Sequence, residues 1–266
     1  MERTALSDRF TVIAIAIMVY AGGNITHEII GHCGSTYFLG AKCIFISTTD
    51  LRVAPALPKW KFHISAFAGS AANWLVALAC LGLLRAWRKP SPALRYFLWL
   101  SMCVNLFLPS TYLFVSPIIM FGDWYNIIYE LPQQFAWRSS LTVAGAAACW
   151  FSFRLCRAEL GRLIGVGGRA ARSIAWALVA PAYVTGGVVT VTAALFSPLA
   201  AKWAQIPAAG GTFGVTFWLL LLPLVVPEAP EPVQHPFMIP RSVGWIVAGA
   251  LCALAFIGAL GPGITP

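Results

Sequence analysis

The sequence predicts an all-α polytopic membrane protein, on three observations. Of its 266 residues, 59% are hydrophobic and only 10% charged, against about 25% charged in a soluble domain. The apolar residues gather in runs long enough to cross hydrocarbon, which takes about 20 residues of helix. Short loops carrying Lys and Arg separate the runs, and the mean hydropathy of the chain is +0.77.

Seven candidate spans follow in order: 10–32, 64–86, 96–119, 139–155, 173–197, 212–227 and 243–261. The fourth and sixth are short, which suits a re-entrant or tilted segment as well as a full crossing. The first follows a mixed-charge start (Glu2, Arg3, Asp8, Arg9) and contains polar groups, so it does not have the pattern of a cleavable signal. With seven spans, the N-terminus and the loops near 87–95, 157–172 and 228–242 share one side, which holds twelve of the 18 Lys and Arg residues. The positive-inside rule then expects a cytoplasmic N-terminus, in a multi-pass protein of the cytoplasmic membrane. This topology accounts for the net charge of +9 with the lipid bilayer as partner and no nucleic acid.

The first span ends in Asn24-Ile-Thr-His27-Glu28-Ile-Ile-Gly31-His32. Ionisable groups at membrane depth are costly, and they usually mark function. Histidine and glutamate are also the equipment of a zinc hydrolase, with imidazoles to hold the ion and a carboxylate to take a proton from water. After them, residues 41–53 are rich in β-branched and aromatic side chains between Gly40 and Pro55, which predicts one or two short strands. Strand edges cannot face lipid. The segment is expected at the interface, or buried where its donors find partners that include an extended peptide; an ordinary surface hairpin is the alternative.

The second span is small-sided at Ser65, Ala68, Gly69 and Ala72 and carries Asn73, which suits close packing on the first span. Asn105 and Pro109 in the third lead to Asp123, either a helix cap or a third metal ligand. His63, beside Lys59 and Lys61, is expected as an interfacial anchor, and His235 as part of the proline-stiffened connection 227–240. Four histidines are too few for a membrane di-iron centre. The seven cysteines form no C-x-x-C pair, so small buried hydrophobes are expected rather than a disulfide framework; Cys33 and Cys43 are also placed to act as soft ligands. Beyond residue 128 no chemical motif occurs. Gly165-Val-Gly-Gly168 lacks the strand and the Lys-Ser/Thr of a phosphate loop and predicts a flexible basic turn. Tyr183, Thr185, Gly186, Gly187, Thr190 and Thr192 suit close packing or a gate, and no internal repeat supports a transporter.

The order of these features resembles the three-helix core of site-2 protease-type intramembrane zinc metalloproteases. The likeness runs over about residues 15–128 and rests on the His-Glu first helix, a strand-like segment, Gly-Ser-Ala-Ala-Asn at 69–73, then Asn105, Pro109 and Gly122-Asp123. It implies a metalloprotease-like core at 1–128, followed by additional transmembrane helices of unknown role at 129–266. It implies zinc as cofactor, His27, His32 and Asp123 as metal ligands, Glu28 as the catalytic base, and Asn73 as a supporting polar residue. The substrate it implies is a membrane protein, cut in or next to a transmembrane segment.

Two departures bear on the chemistry. Asp123 is preceded by glycine rather than followed by it, and the motif is one residue longer than H-E-x-x-H. On a regular helix, residues i and i+5 lie about 140° apart, too far around to share an ion. A π-bulge near Gly31 would absorb the extra residue. Alternatively Asn24, Glu28 and His32, each one turn apart, form a polar stripe that makes Glu28 a ligand. In the third arrangement no metal binds, and the protein is a non-enzymatic ion- or proton-coupled carrier or an assembly factor.

Overall fold

The computed structural model describes residues 7–87, 89–198, 211, 213–226 and 237–266; His235 lies outside them. Helix α1 (Arg9–Ile25) begins where Asp8 accepts from the Thr11 amide and continues as a π-helix over Thr26–Cys33 and a short α2 (Gly34–Phe38). Strands β1 (Lys42–Ile46) and β2 (Leu51–Ala54) follow, then the long helices α3 (Lys59–Ala86) and α4 (Pro92–Ile119). Ser91 caps α4 and Pro92 opens it, where a missing amide costs nothing. The chain goes on through α5 (Asp123–Ile128), α6 (Gln134–Ile164) and α7 (Gly168–Leu195), then a 3₁₀ segment (Phe217–Val225). It closes with α8 (Val243–Ala255) and a second π-helical turn (Phe256–Leu260).

Among the described residues, five stretches are long and apolar enough to cross a membrane: Arg9–Phe38, Lys59–Ala86, Pro92–Ile119, Gly168–Leu195 and Val243–Leu260. They include five of the seven spans expected from sequence. Of the other two, α6 has the length at 31 residues but interrupts its apolar run with Ser, Trp and Arg. The apolar helix Phe213–Val225 falls short of the roughly 20 residues a crossing needs. Helix α4 is the centre of the bundle: 72% of its apolar stretch is buried, against 17% for Val243–Leu260 at the periphery. Trp99, Tyr96 and Phe107 of α4 and Tyr20 of α1 are fully buried in this core.

The strand-like segment is a two-stranded antiparallel hairpin, pairing Lys42 with Ala54 and Ile46 with Leu51, with an irregularity between Cys43 and Phe45. Its strands are largely exposed or half-exposed, but its turn is anchored in the protein. Ile46, Ser47 and Thr48 at its turn are buried, Ile46 also bridges to Ile264, and Asn24 on α1 donates to the Thr48 carbonyl at 3.0 Å. Backbone groups at this depth therefore find protein partners, as a low-dielectric setting demands.

One expectation is corrected here. Cys33 and Cys43 form a disulfide across 5.8 Å between their Cα atoms. Cys33 ends the π-helix and Cys43 is the second residue of β1, so the hairpin's return toward the helix brings together two thiols ten residues apart. The cysteines at 80, 103, 149 and 156 are free and buried, as small hydrophobes are.

Candidate metal centre

The histidine motif lies within the π-helix, whose i to i+5 hydrogen bonds put residues five apart on one face. His27 and His32 therefore meet, their rings perpendicular with centroids 4.7 Å apart. The displaced helix ladder is compensated locally: the His32 carbonyl accepts from Ser35 Oγ at 2.8 Å and from Ser65 Oγ at 3.4 Å. Gly31 makes the approach to α3 possible. A Cβ there would lie 2.4 Å from the Gly69 Cα and 2.7 Å from the Ala68 carbonyl oxygen.

Asp123 arrives from the far end of α4. The chain breaks at Met120 and turns through Gly122 at φ +87°, where a side chain would also collide with the Tyr112 ring, and α5 begins at Asp123. Trp124 packs against Phe67 and Trp74 of α3, while Tyr112 Oη accepts from the Asp123 amide at 3.0 Å. So held, Asp123 Oδ2 sits 3.1 Å from His27 Nε2 and 3.2 Å from His32 Nε2. It lies on the histidines and does not cap α5. Burial alone would push its carboxyl pKa up; the charge of His32 and the hydrogen bonds from both rings outweigh this and hold it below the usual carboxylate range.

The hydrogen-bond network fixes the histidine tautomers from backbone carbonyls inward. Ser101 O can only accept, so the Asn105 amide nitrogen faces it at 2.9 Å, and Asn105 Oδ1 accepts from Asn73 Nδ2 at 2.7 Å. Asn73 Nδ2 also donates to Gly23 O, which leaves Asn73 Oδ1 to accept from His27 Nδ1 at 2.9 Å. His32 Nδ1 donates to Ser65 O at 2.7 Å. Both Nδ1 atoms carry protons, so it is Nε2 of each ring that faces the Asp123 carboxylate, as a donor where the ring is charged and as a lone pair where a metal ion takes the proton's place. Three acceptors within 4.8 Å of one another require a cation between them, either a proton or a metal ion.

Two imidazole nitrogens, each ring steadied through its Nδ1, and one carboxylate oxygen, its residue held by the backbone amide, form a donor set that can hold a metal with a position left open. Glu28 is half-buried beside them, close enough for its charge to act on His32, His27 and Asp123. Asn24 is not part of the cluster, because its amide holds the hairpin. His63 is also apart from it, packed beside Phe62.

Three contributors were not legible as site residues. Ser65 acts through its carbonyl, which any residue type supplies. Tyr112 is recognisable only once α4 and α5 are folded together. Gly69 was visible as a small residue, but its purpose is specific: a Cβ there would lie 2.7 Å from His32 Nε2 and 2.8 Å from His27 Cε1. No family model, curated protein or solved structure matches this chain.

Proposed function

We propose that the protein is an intramembrane zinc metallopeptidase of the site-2 protease type, cutting a membrane-protein substrate in or beside a transmembrane segment. The observation that carries this reading is the convergence of two Nε2 atoms and a carboxylate oxygen, with a second carboxylate at their side. His27, His32 and Asp123 would hold the ion. A zinc bound there supplies Lewis acidity and brings the pKa of water down to about 7. Glu28 takes the proton from the attacking water and delivers it to the departing amine. Asn73 and the Ser65 carbonyl keep both rings oriented through the cycle. A helical substrate hides its carbonyls, so it must unwind to be cut, and β2, which pairs only with β1 among the described residues, offers an edge for an extended strand.

The disulfide supports the orientation drawn from charge. Such bonds persist in oxidising compartments, so the hairpin belongs outside the cytoplasm and the arginine-rich helix ends inside it.

The test separates metal from chemistry. His32→Ala is expected to lose stoichiometric zinc, whereas Glu28→Gln keeps zinc and loses cleavage of a reconstituted transmembrane peptide by about 10² to 10⁴-fold. Equal zinc in His32→Ala and wild type would overturn the ligand assignment. Zinc-dependent metal binding with no cleavage of any transmembrane peptide would leave the carrier or assembly-factor reading.

A further inference from the structure

At the opposite end of α3 from the hairpin, a cavity of about 260 Å³ lies between α3, α4 and α6, lined by Leu84, Arg85, Arg95, Trp99, Glu159, Arg162 and Leu163. Glu159 is buried, with its side chain 6% exposed, and a single oxygen, Oε1, receives Arg85 Nη2 at 2.9 Å, Arg85 Nε at 3.2 Å and Arg162 Nη1 at 2.6 Å. Among the described residues, the hydrogen bond found for the Arg95 guanidinium is to the Arg162 carbonyl, at 3.4 Å. The cavity thus sets three guanidinium groups around one carboxylate, a surplus of two positive charges.

We propose that this cavity binds a phosphate group, that of an anionic phospholipid. Arginine forks match the tetrahedral oxyanion, and a singly charged phosphodiester would halve the surplus charge. The lipid source is favoured by position. The cavity lies at helix ends on the arginine-rich side, and basic pockets between spanning helices on the cytoplasmic side suit anionic headgroups. Leu83, near the end of α3, and its C-cap Trp87 are exposed, so this end of the helix presents apolar surface that acyl chains would use and a free phosphate would not.

The test is native mass spectrometry and thermal unfolding of the full chain in mild detergent, titrated with phosphatidylglycerol, phosphatidylcholine or inorganic phosphate. One phosphatidylglycerol is expected to bind and raise Tm, with phosphatidylcholine and inorganic phosphate inert at the same concentration. Arg95→Gln, which leaves the Glu159 ion pairs intact, should weaken phosphatidylglycerol about tenfold or more. Arg95→Lys, a milder change should Arg95→Gln fail to fold, keeps the charge but loses the fork and should fall between. Lys89→Gln, close by but outside the lining, should match wild type. Equal binding by wild type and both Arg95 variants would overturn the site, as would an equal loss in Lys89→Gln. Inorganic phosphate binding as tightly as the lipid would overturn the lipid assignment.

Discussion

Gly69→Ala is the sharpest probe of the centre, because it adds one methyl group at the point where both imidazoles touch α3. The new carbon would lie 2.7 Å from His32 Cε1 and Nε2 and 2.8 Å from His27 Cε1. Optimal carbon contacts are about 3.5–4.0 Å, so each ring must retreat by about 0.7 Å or more. Metal–ligand distances tolerate about 0.2 Å. Overpacking of this kind costs about 1–3 kcal/mol, and at about 1.4 kcal/mol per tenfold zinc affinity should fall roughly 5- to 150-fold while the helices stay folded. Gly82→Ala is the matched control: it lies on the same helix and its Cβ would meet nothing within 4 Å. The assay is competition against a chromophoric chelator, with circular dichroism on both variants. Zinc held by Gly69→Ala at wild-type affinity would refute the placement of the rings against α3, and an equal loss in Gly82→Ala would show that helix content rather than ring position is being measured.

Three other outcomes follow from the same geometry. Asn73→Ala removes the acceptor on His27 Nδ1 and should lower zinc affinity about 10- to 100-fold, whereas Asn73→Asp keeps that acceptor but sets an oxygen against the Gly23 carbonyl and Asn105 Oδ1 and should recover only part of it, both read by the same competition titration. Cys33→Ser opens a ten-residue loop and should lower unfolding stability by about 3 kcal/mol in denaturant titration, as reductant should in the wild type; no change in either would count against the bond. Glu28→Gln should separate retained zinc from lost cleavage, as set out above.

How far the sequence discloses this depends on the range over which each interaction acts. The spans are local and legible, because twenty consecutive residues carry the signal. Span 139–155 shows the limit: helix α6 is present, but its apolar run is diluted by Ser140, Trp150 and Arg154. The histidine spacing was ambiguous for a physical reason. Regular geometry separates His27 from His32, and only the π-helix, which puts them on one face, brings the two rings together. The disulfide depended on how the hairpin returns, which the nine intervening residues do not announce. Asp123 depends on the longest reach, 96 residues from His27, and nothing local distinguishes such a ligand from a cap.

A π-helix carries weaker, displaced hydrogen bonds, so a stretch like Thr26–Cys33 persists only where its surroundings over-determine it. Four restraints do so here: the Cys33–Cys43 bond, the Asn24 contact to the hairpin, the serine hydroxyls on the His32 carbonyl, and the Gly31–Gly69 contact. None of them touches the space between the two Nε2 atoms. The scaffold therefore orients two Nε2 atoms and a carboxylate at one point. With both Nδ1 protons anchored on Asn73 and on the Ser65 carbonyl, neither ring can turn its Nδ1–H toward Asp123, so a positive charge, a proton or a metal ion, must lie between the Nε2 atoms and the carboxylate.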